Sequence, residues 1–150
     1  DDVRTSKAID LGIGLLGNVL GCMMMGFLIR LAAYDTNVLL FKQLEGIVSL
    51  KMGHDWYEAL ILSFFCGLLI HIGIDGMRRI DNPIGRYLVL FLCIGGFTLA
   101  GFEHSVANMF FYFLNGSYTL DAALSLLLLI VGNSLGGLAV SGVRLLVSKE

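Results

Sequence analysis

The chain has 150 residues, of which 57% are hydrophobic and 15% charged, with a net charge of −2. Soluble domains carry about one quarter charged residues, so an ordinary water-soluble globule is excluded, as the mean hydropathy of +0.83 also implies. Without a basic surplus there is no footprint for nucleic acid. Cys22, Cys66 and Cys93 each sit inside an apolar block with no Cys-x-x-Cys spacing. They read as small packing residues rather than a zinc site or a disulfide framework, and no cofactor is implied.

The apolar residues are gathered into blocks of about 20 or more, the length that crosses a bilayer core. The first expected span runs from about Ala8 to Ala33. The segment Tyr34 to Asp55 is a long loop in which Leu39, Leu40, Leu44, Ile47, Val48 and Leu50 recur with near-helical spacing. That pattern predicts an amphipathic helix, lying at the outer surface or packed on its own protein. A second span covers about Trp56 to Met77, and the lone proline, Pro83, follows in a loop. An unusually long third span runs from Tyr87 to Leu114, and after the turn Asn115 to Thr119 the fourth runs from about Leu120 to Val147. The chain therefore reads as one all-α, polytopic transmembrane domain over residues 1–150. Arg4, Lys7, Arg78, Arg79, Arg86, Arg144 and Lys149 fall on one side of such a protein, against Arg30, Lys42 and Lys51 on the other. The positive-inside rule then places both ends of the chain in the cytoplasm and the long loop outside.

Spans one and four share a pentad, Gly17-Asn18-Val19-Leu20-Gly21 and Gly132-Asn133-Ser134-Leu135-Gly136. Glycines let helices approach closely, and an amide at bilayer depth needs a partner or a watery path. Copies three spans apart face opposite ways, which predicts an inverted-topology repeat. Spans two to four would form one complete repeat and span one the end of an incomplete N-terminal one. The start at Asp1 rather than Met fits the expectation of two further spans upstream.

The third span carries Gly95, Gly96 and Gly101, then Glu103, His104 and Asn108. A charged group at mid-membrane costs about 2.5–3.5 kcal/mol on insertion scales. Such a cluster is tolerated where the backbone is interrupted around a cavity, so a discontinuous helix broken near Gly101 to Ser105 is expected. His104 and Asn108 would share a face if that stretch is helical. Glu103 would point about 100° away, toward freed backbone N–H groups or a neighbouring helix. His71 and Asp75 are further polar groups in span two, readable as mutual partners or as a feature of its cytoplasmic end.

The run Gly101-Phe102-Glu103-His104-Ser105-Val106-Ala107-Asn108-Met109 resembles the hallmark of the formate–nitrite transporter family. Gly17-Asn18 and Gly132-Asn133-x-x-Gly136-Gly137 are similar to that family's third and sixth helices. Lys51-x-x-His54-x-Trp56-x-Glu58-Ala59 resembles the lead-in to its fourth, and Phe97 matches a position that narrows the pore. The resemblance covers helices three to six. It implies an aquaporin-like fold, a homopentamer with one pore per protomer in the plasma or inner membrane, and passage of small monovalent anions such as formate, nitrite or hydrosulfide, often with a proton. Two departures stand out: Cys66-Gly67 replaces a Cys-Asn pair, and Ser125 to Ile130 reads Ser-Leu-Leu-Leu-Leu-Ile where the family often has a more polar stretch.

On this reading His104 is the central proton donor, giving the anion a hydrogen bond or a proton, Phe97 belongs to an apolar gate, Lys51 attracts anions at the outer mouth, and Glu103, Asn108 and Asn133 complete the polar set. A neutral-solute channel of aquaporin or ammonium type is the alternative, although Asn-Pro-Ala loops are absent. An enzyme is not expected. Ser105 next to His104 lacks the geometry of an activated nucleophile, and neither Gly-x-Ser-x-Gly nor His-Glu-x-x-His occurs.

Overall fold

Ridges of exposed apolar side chains run the length of the longest helices: Leu11, Leu16, Leu20, Phe27 and Leu31 on the first, Leu124, Leu127, Leu138 and Leu145 on the last. Such continuous surface does not persist in water and marks a face for lipid or for other protein. The computed structural model describes residues 2–147. Among them six helices follow in order: α1 (Asp2–Ala33), α2 (Val38–Met52), α3 (Trp56–Arg79), α4 (Pro83–Leu99), α5 (Ser105–Asn115) and α6 (Leu120–Val147). Helices α1 (from Thr5), α3 and α6 are long and apolar enough to cross a membrane, whereas α4 is apolar but shorter. Lys149 and the side chain of Arg4, both used in the charge bias, lie outside the described residues.

Helices lie over the four expected segments, but α1 starts at Asp2 and not Ala8, α3 runs on to Arg79, and α4 starts at Pro83, which was expected in a loop, and not at Tyr87. The third is broken, as its polar cluster requires. α4 ends in a Schellman turn in which Gly101, at φ +70°, donates to the Thr98 carbonyl and Phe102 to that of Phe97. A side chain at that left-handed position is strained, so glycine sets the break. α4 begins where Pro83 takes the first helical position and the Asn82 side chain accepts from Ile84 and Gly85 N–H. α5 ends in a second Schellman turn at Gly116, φ +80°.

α3 is the centre of one group of helices, packed on α6 and α4, and α5 packs mainly on α1. The two halves of the broken span thus have different neighbours. The α3–α6 seam is close because it is built from small residues. A Cβ at Gly67 would strike the Asn133 backbone, one at Gly132 the Ser63 side chain, and one at Gly136 the Phe64 carbonyl. This gives the Cys66-Gly67 departure a physical reason: no side chain fits where α3 meets Asn133. The first copy of the pentad behaves differently. Asn18 is exposed, and a Cβ at Gly17 or Gly21 would meet nothing within 4 Å.

The loop helix α2 lies on its own protein. Phe41, Leu44 and Val48 form a core cluster with Tyr112, Leu114 and Ala122. Burial of side chains this size contributes about 1.5–3 kcal/mol each. Leu39, Leu40, Ile47 and Leu50 remain exposed on its other face. His71 and Asp75 do not pair with each other. His71 Nε2 lies 3.2 Å from the Ser141 hydroxyl. Asp75 accepts from Arg79 at 2.8 Å and from Arg144 at 3.1 Å, tying the ends of α3 and α6 together.

Candidate functional site

The site is the gap between α4 and α5, residues 100–104, where a helix end points into the middle of the span. A helix N-terminus presents unpaired N–H groups and a partial positive charge. Here two side chains satisfy part of that end. His104 is the N-cap of α5, and its Nδ1 accepts from Ala107 N–H at 3.0 Å. Asn133, projecting from α6, accepts from Ser105 N–H at 2.9 Å.

Asn133 does more than accept. Its amide nitrogen donates to the Ser63 carbonyl at 2.7 Å and to the Glu103 carbonyl at 2.9 Å. One side chain therefore joins α3, α6 and both sides of the break. Asn133→Leu leaves two carbonyls and one N–H without their partner, at about 1–3 kcal/mol each. The expected outcome is a large drop in the melting temperature of the purified full-length protein. An unchanged melting temperature would show that the break holds itself.

The cap also fixes the chemistry of His104. A ring whose Nδ1 is an acceptor carries its proton on Nε2. No other hydrogen bond of this ring occurs among the described residues, so Nε2–H is available as a donor. The ring stacks on Phe97, centroids 5.6 Å apart and planes 13° from parallel. His104 and Phe97 line a cavity of about 280 Å³ between α3 and α4, whose remaining walls are Ile70, Ile74, Leu90, Cys93 and Ile94. The imidazole is the polar side chain of that lining, and the cavity extends toward the α3–α4 loop.

On the α2–α3 loop side of the break the surroundings are charged. Glu103 is 1% exposed. Its carboxylate accepts from Lys51 Nζ at 3.0 and 2.9 Å, one bond to each oxygen, and from the Asn108 side-chain amide. His54 Nε2 lies 3.4 Å from Glu103 Oε1, and its Nδ1 3.6 Å from Glu58 Oε2. Asn108 is itself 1% exposed, and its Oδ1 has no hydrogen-bond partner among the described residues.

The structure therefore sorts the expected residues into two adjacent groups. His104 and Phe97 line the apolar cavity. Lys51, Glu103 and Asn108 form a buried ionic knot, and Asn133 pins the backbone between the groups. The Asn108 N–H donates to the His104 carbonyl at 2.9 Å, but its side-chain amide goes to Glu103 and not to the His104 ring, which caps α5 with extended backbone. Glu103 finds a neighbouring helix for a partner, as its angular offset suggested, and that partner is Lys51.

Two contributors were not singled out from sequence. His54 stood only inside a motif, and its approach to Glu103 depends on how α2 folds back. Arg30 counted only as a loop charge. Its guanidinium donates to the Leu114 and Asn115 carbonyls at 3.1 and 2.8 Å, closing the negative end of α5. Its place just before the end of the first span was the available signal.

The chain matches the formate/nitrite transporter family over residues 5–147. It is 26% identical over 145 residues to the formate-nitrite transporter of Plasmodium knowlesi (strain H), covering 87% of this chain and 46% of that protein. Against the formate-nitrite transporter of Plasmodium falciparum (isolate 3D7) it is 26% identical over 148 residues, 89% of this chain and 47% of that protein. A 60-residue stretch is 32% identical to formate channel FocA of Haemophilus influenzae (strain ATCC 51907 / DSM 11121 / KW20 / Rd), covering 40% of this chain and 21% of that protein. The chain thus spans about half the length of the curated Plasmodium relatives it matches. With a span broken at a capping histidine, a glycine seam behind it and a family match along nearly its whole length, this chain belongs to the formate/nitrite transporter family.

Proposed function

We propose that the full-length protein is a channel-like carrier of small monovalent anions, formate foremost, with nitrite and hydrosulfide as further substrates. The observation that carries this reading is the placement of His104. A lone Nε2–H donor lines an otherwise apolar cavity at the interruption of a membrane span. An anion stripped of water in such a place loses several kcal/mol of solvation unless it is met by a donor or by a proton. His104 Nε2–H is the donor.

Its role in proton transfer is constrained by the same cap. The neutral ring gives a hydrogen bond, not a net proton, because loss of Nε2–H would leave imidazolate. To hand over a proton, His104 must first be protonated at Nδ1, which removes the acceptor from Ala107 N–H and sets a cation at the positive end of α5. We therefore read His104 as holding the anion while bulk water supplies the proton that turns formate into formic acid. The neutral acid then passes the Phe97 constriction and the apolar walls beyond it. Lys51 draws anions to the loop-side mouth. We further propose an aquaporin-like inverted repeat, a homopentameric assembly and a place in the plasma or inner membrane.

Proteoliposomes containing the full-length protein separate this from a neutral-solute channel. Formate is expected to enter far faster than glycerol, and faster at lower external pH. Glycerol or water passage with no formate entry would assign the protein to the alternative class.

A further inference from the structure

We propose that His54 is a further functional residue of the conduit, an imidazole that on protonation takes over the Glu103 carboxylate and releases the Lys51 ammonium to an arriving anion. This rests on the anion-carrier reading and removes a difficulty within it. Lys51 attracts an anion only weakly while both oxygens of a buried carboxylate hold it at 3.0 and 2.9 Å.

The two cations share one oxygen. Glu103 Oε1 accepts from Lys51 and stands 3.4 Å from His54 Nε2. The groups form a graded series from water inward. The Glu58 side chain is 46% exposed, that of His54 22%, and that of Glu103 2%. A proton from bulk water reaches His54 without crossing the apolar interior. Imidazole changes charge between about pH 5 and 8. Neutral His54 leaves Lys51 and Glu103 as a balanced pair. Imidazolium places a second cation against the same carboxylate and weakens its hold on the first.

Lys51 is the one able to leave. It is 14% exposed on a long, flexible stem, so its ammonium can swing toward water. His54 has a short side chain and a second carboxylate, Glu58, 3.6 Å from its other nitrogen. The acceptor stays in place during the exchange, because the Asn108 amide of α5 holds Glu103 Oε2. The charged and titratable groups near this pair on the packed elements are Lys51 of α2, Glu58 at the start of α3, Cys66 further along α3, and Tyr112 of α5. The exchange moves no proton other than the one bound at His54. Apparent affinity for the anion therefore rises as pH falls on the α2–α3 loop side.

Two measurements on the full-length protein test this. The first is the KM for formate uptake in proteoliposomes, at about pH 5.5 and about pH 7.5 on the loop side. In the unsubstituted protein KM is expected to fall about fivefold or more at the lower pH. His54→Gln is expected to show one KM at both. A pH-independent KM in the unsubstituted protein, or its full pH dependence in His54→Gln, overturns the proposal. The second needs no transport: cryo-electron microscopy at the same two pH values. The Lys51–Glu103 contact is expected to be closed at the higher pH and open at the lower. A contact intact at both overturns the His54 exchange even if no formate passes, and absent formate flux by itself counts against the carrier reading instead.

Discussion

Glu103→Leu is expected to destabilise the full-length protein by about 3–5 kcal/mol, the cost of leaving one member of a buried ion pair alone. Lys51 would keep its ammonium in a site only 14% exposed, with its carboxylate gone. Asn108 would lose the acceptor of its amide in addition to its already unpartnered Oδ1. Lys51→Met is expected to cost a similar amount, leaving a carboxylate 1% exposed with the Asn108 amide and His54 beside it. The double variant Lys51→Met/Glu103→Leu is expected to recover most of the loss, because well-packed apolar pairs replace buried ion pairs nearly without cost. Melting of the four proteins in detergent gives this coupling directly. Additive losses would mean that the two side chains are solvated independently and that the knot contributes nothing as a pair.

That knot explains why charge is tolerated here. An isolated acid at this depth costs about 2.5–3.5 kcal/mol. Lys51 of α2 donates to both oxygens of this one, the Asn108 amide of α5 to one of them, and His54 of the α2–α3 loop lies 3.4 Å away. The loop helix is therefore part of the site. Its buried face of Phe41, Leu44 and Val48 seats it on α5 and α6, and its last turn then delivers Lys51 to the break.

Much of the fold was legible in the sequence because the bilayer imposes coarse rules. Block length placed the long apolar helices, and the run of glycines before Glu103 and His104 located the break to within a residue. The pairing of the polar side chains was less legible. His104 and Asn108 are four apart, which on a continuous helix puts them together, but a cap has extended backbone and the periodicity fails at that residue. Lys51 reads as a solvated loop charge until α2 is folded back over α5. The seam was visible as Gly132 and Gly136, whereas the need for glycine at Gly67 emerges only where the α3 and α6 backbones touch. The hydrophobic spacing of α2 implied a helix with one sticky face, but not which of its leucines would be covered. Phe41, the aromatic that anchors it, lay outside the set picked by spacing.

The second large effect concerns His104, on which the account depends. His104→Phe keeps an aromatic ring against Phe97 but removes Nε2–H and the cap on Ala107. Loss of a cap costs about 1 kcal/mol, which a stable helix seam can absorb. Loss of a hydrogen bond to a charged group is worth about 1.5–3 kcal/mol, or about 10- to 100-fold in rate at 1.4 kcal/mol per tenfold. His104→Asn restores a side-chain acceptor at the cap and so separates folding from transport. The deciding measurement is formate flux across a range of external pH in proteoliposomes bearing the unsubstituted protein, His104→Phe and His104→Asn. Flux is expected to rise as pH falls in the unsubstituted protein and to drop by about 10- to 100-fold in His104→Phe. In folded His104→Asn slowed flux with an altered pH profile is expected. Flux in both variants equal to that of the unsubstituted protein at every pH would mean that no anion meets this ring on its way through the membrane.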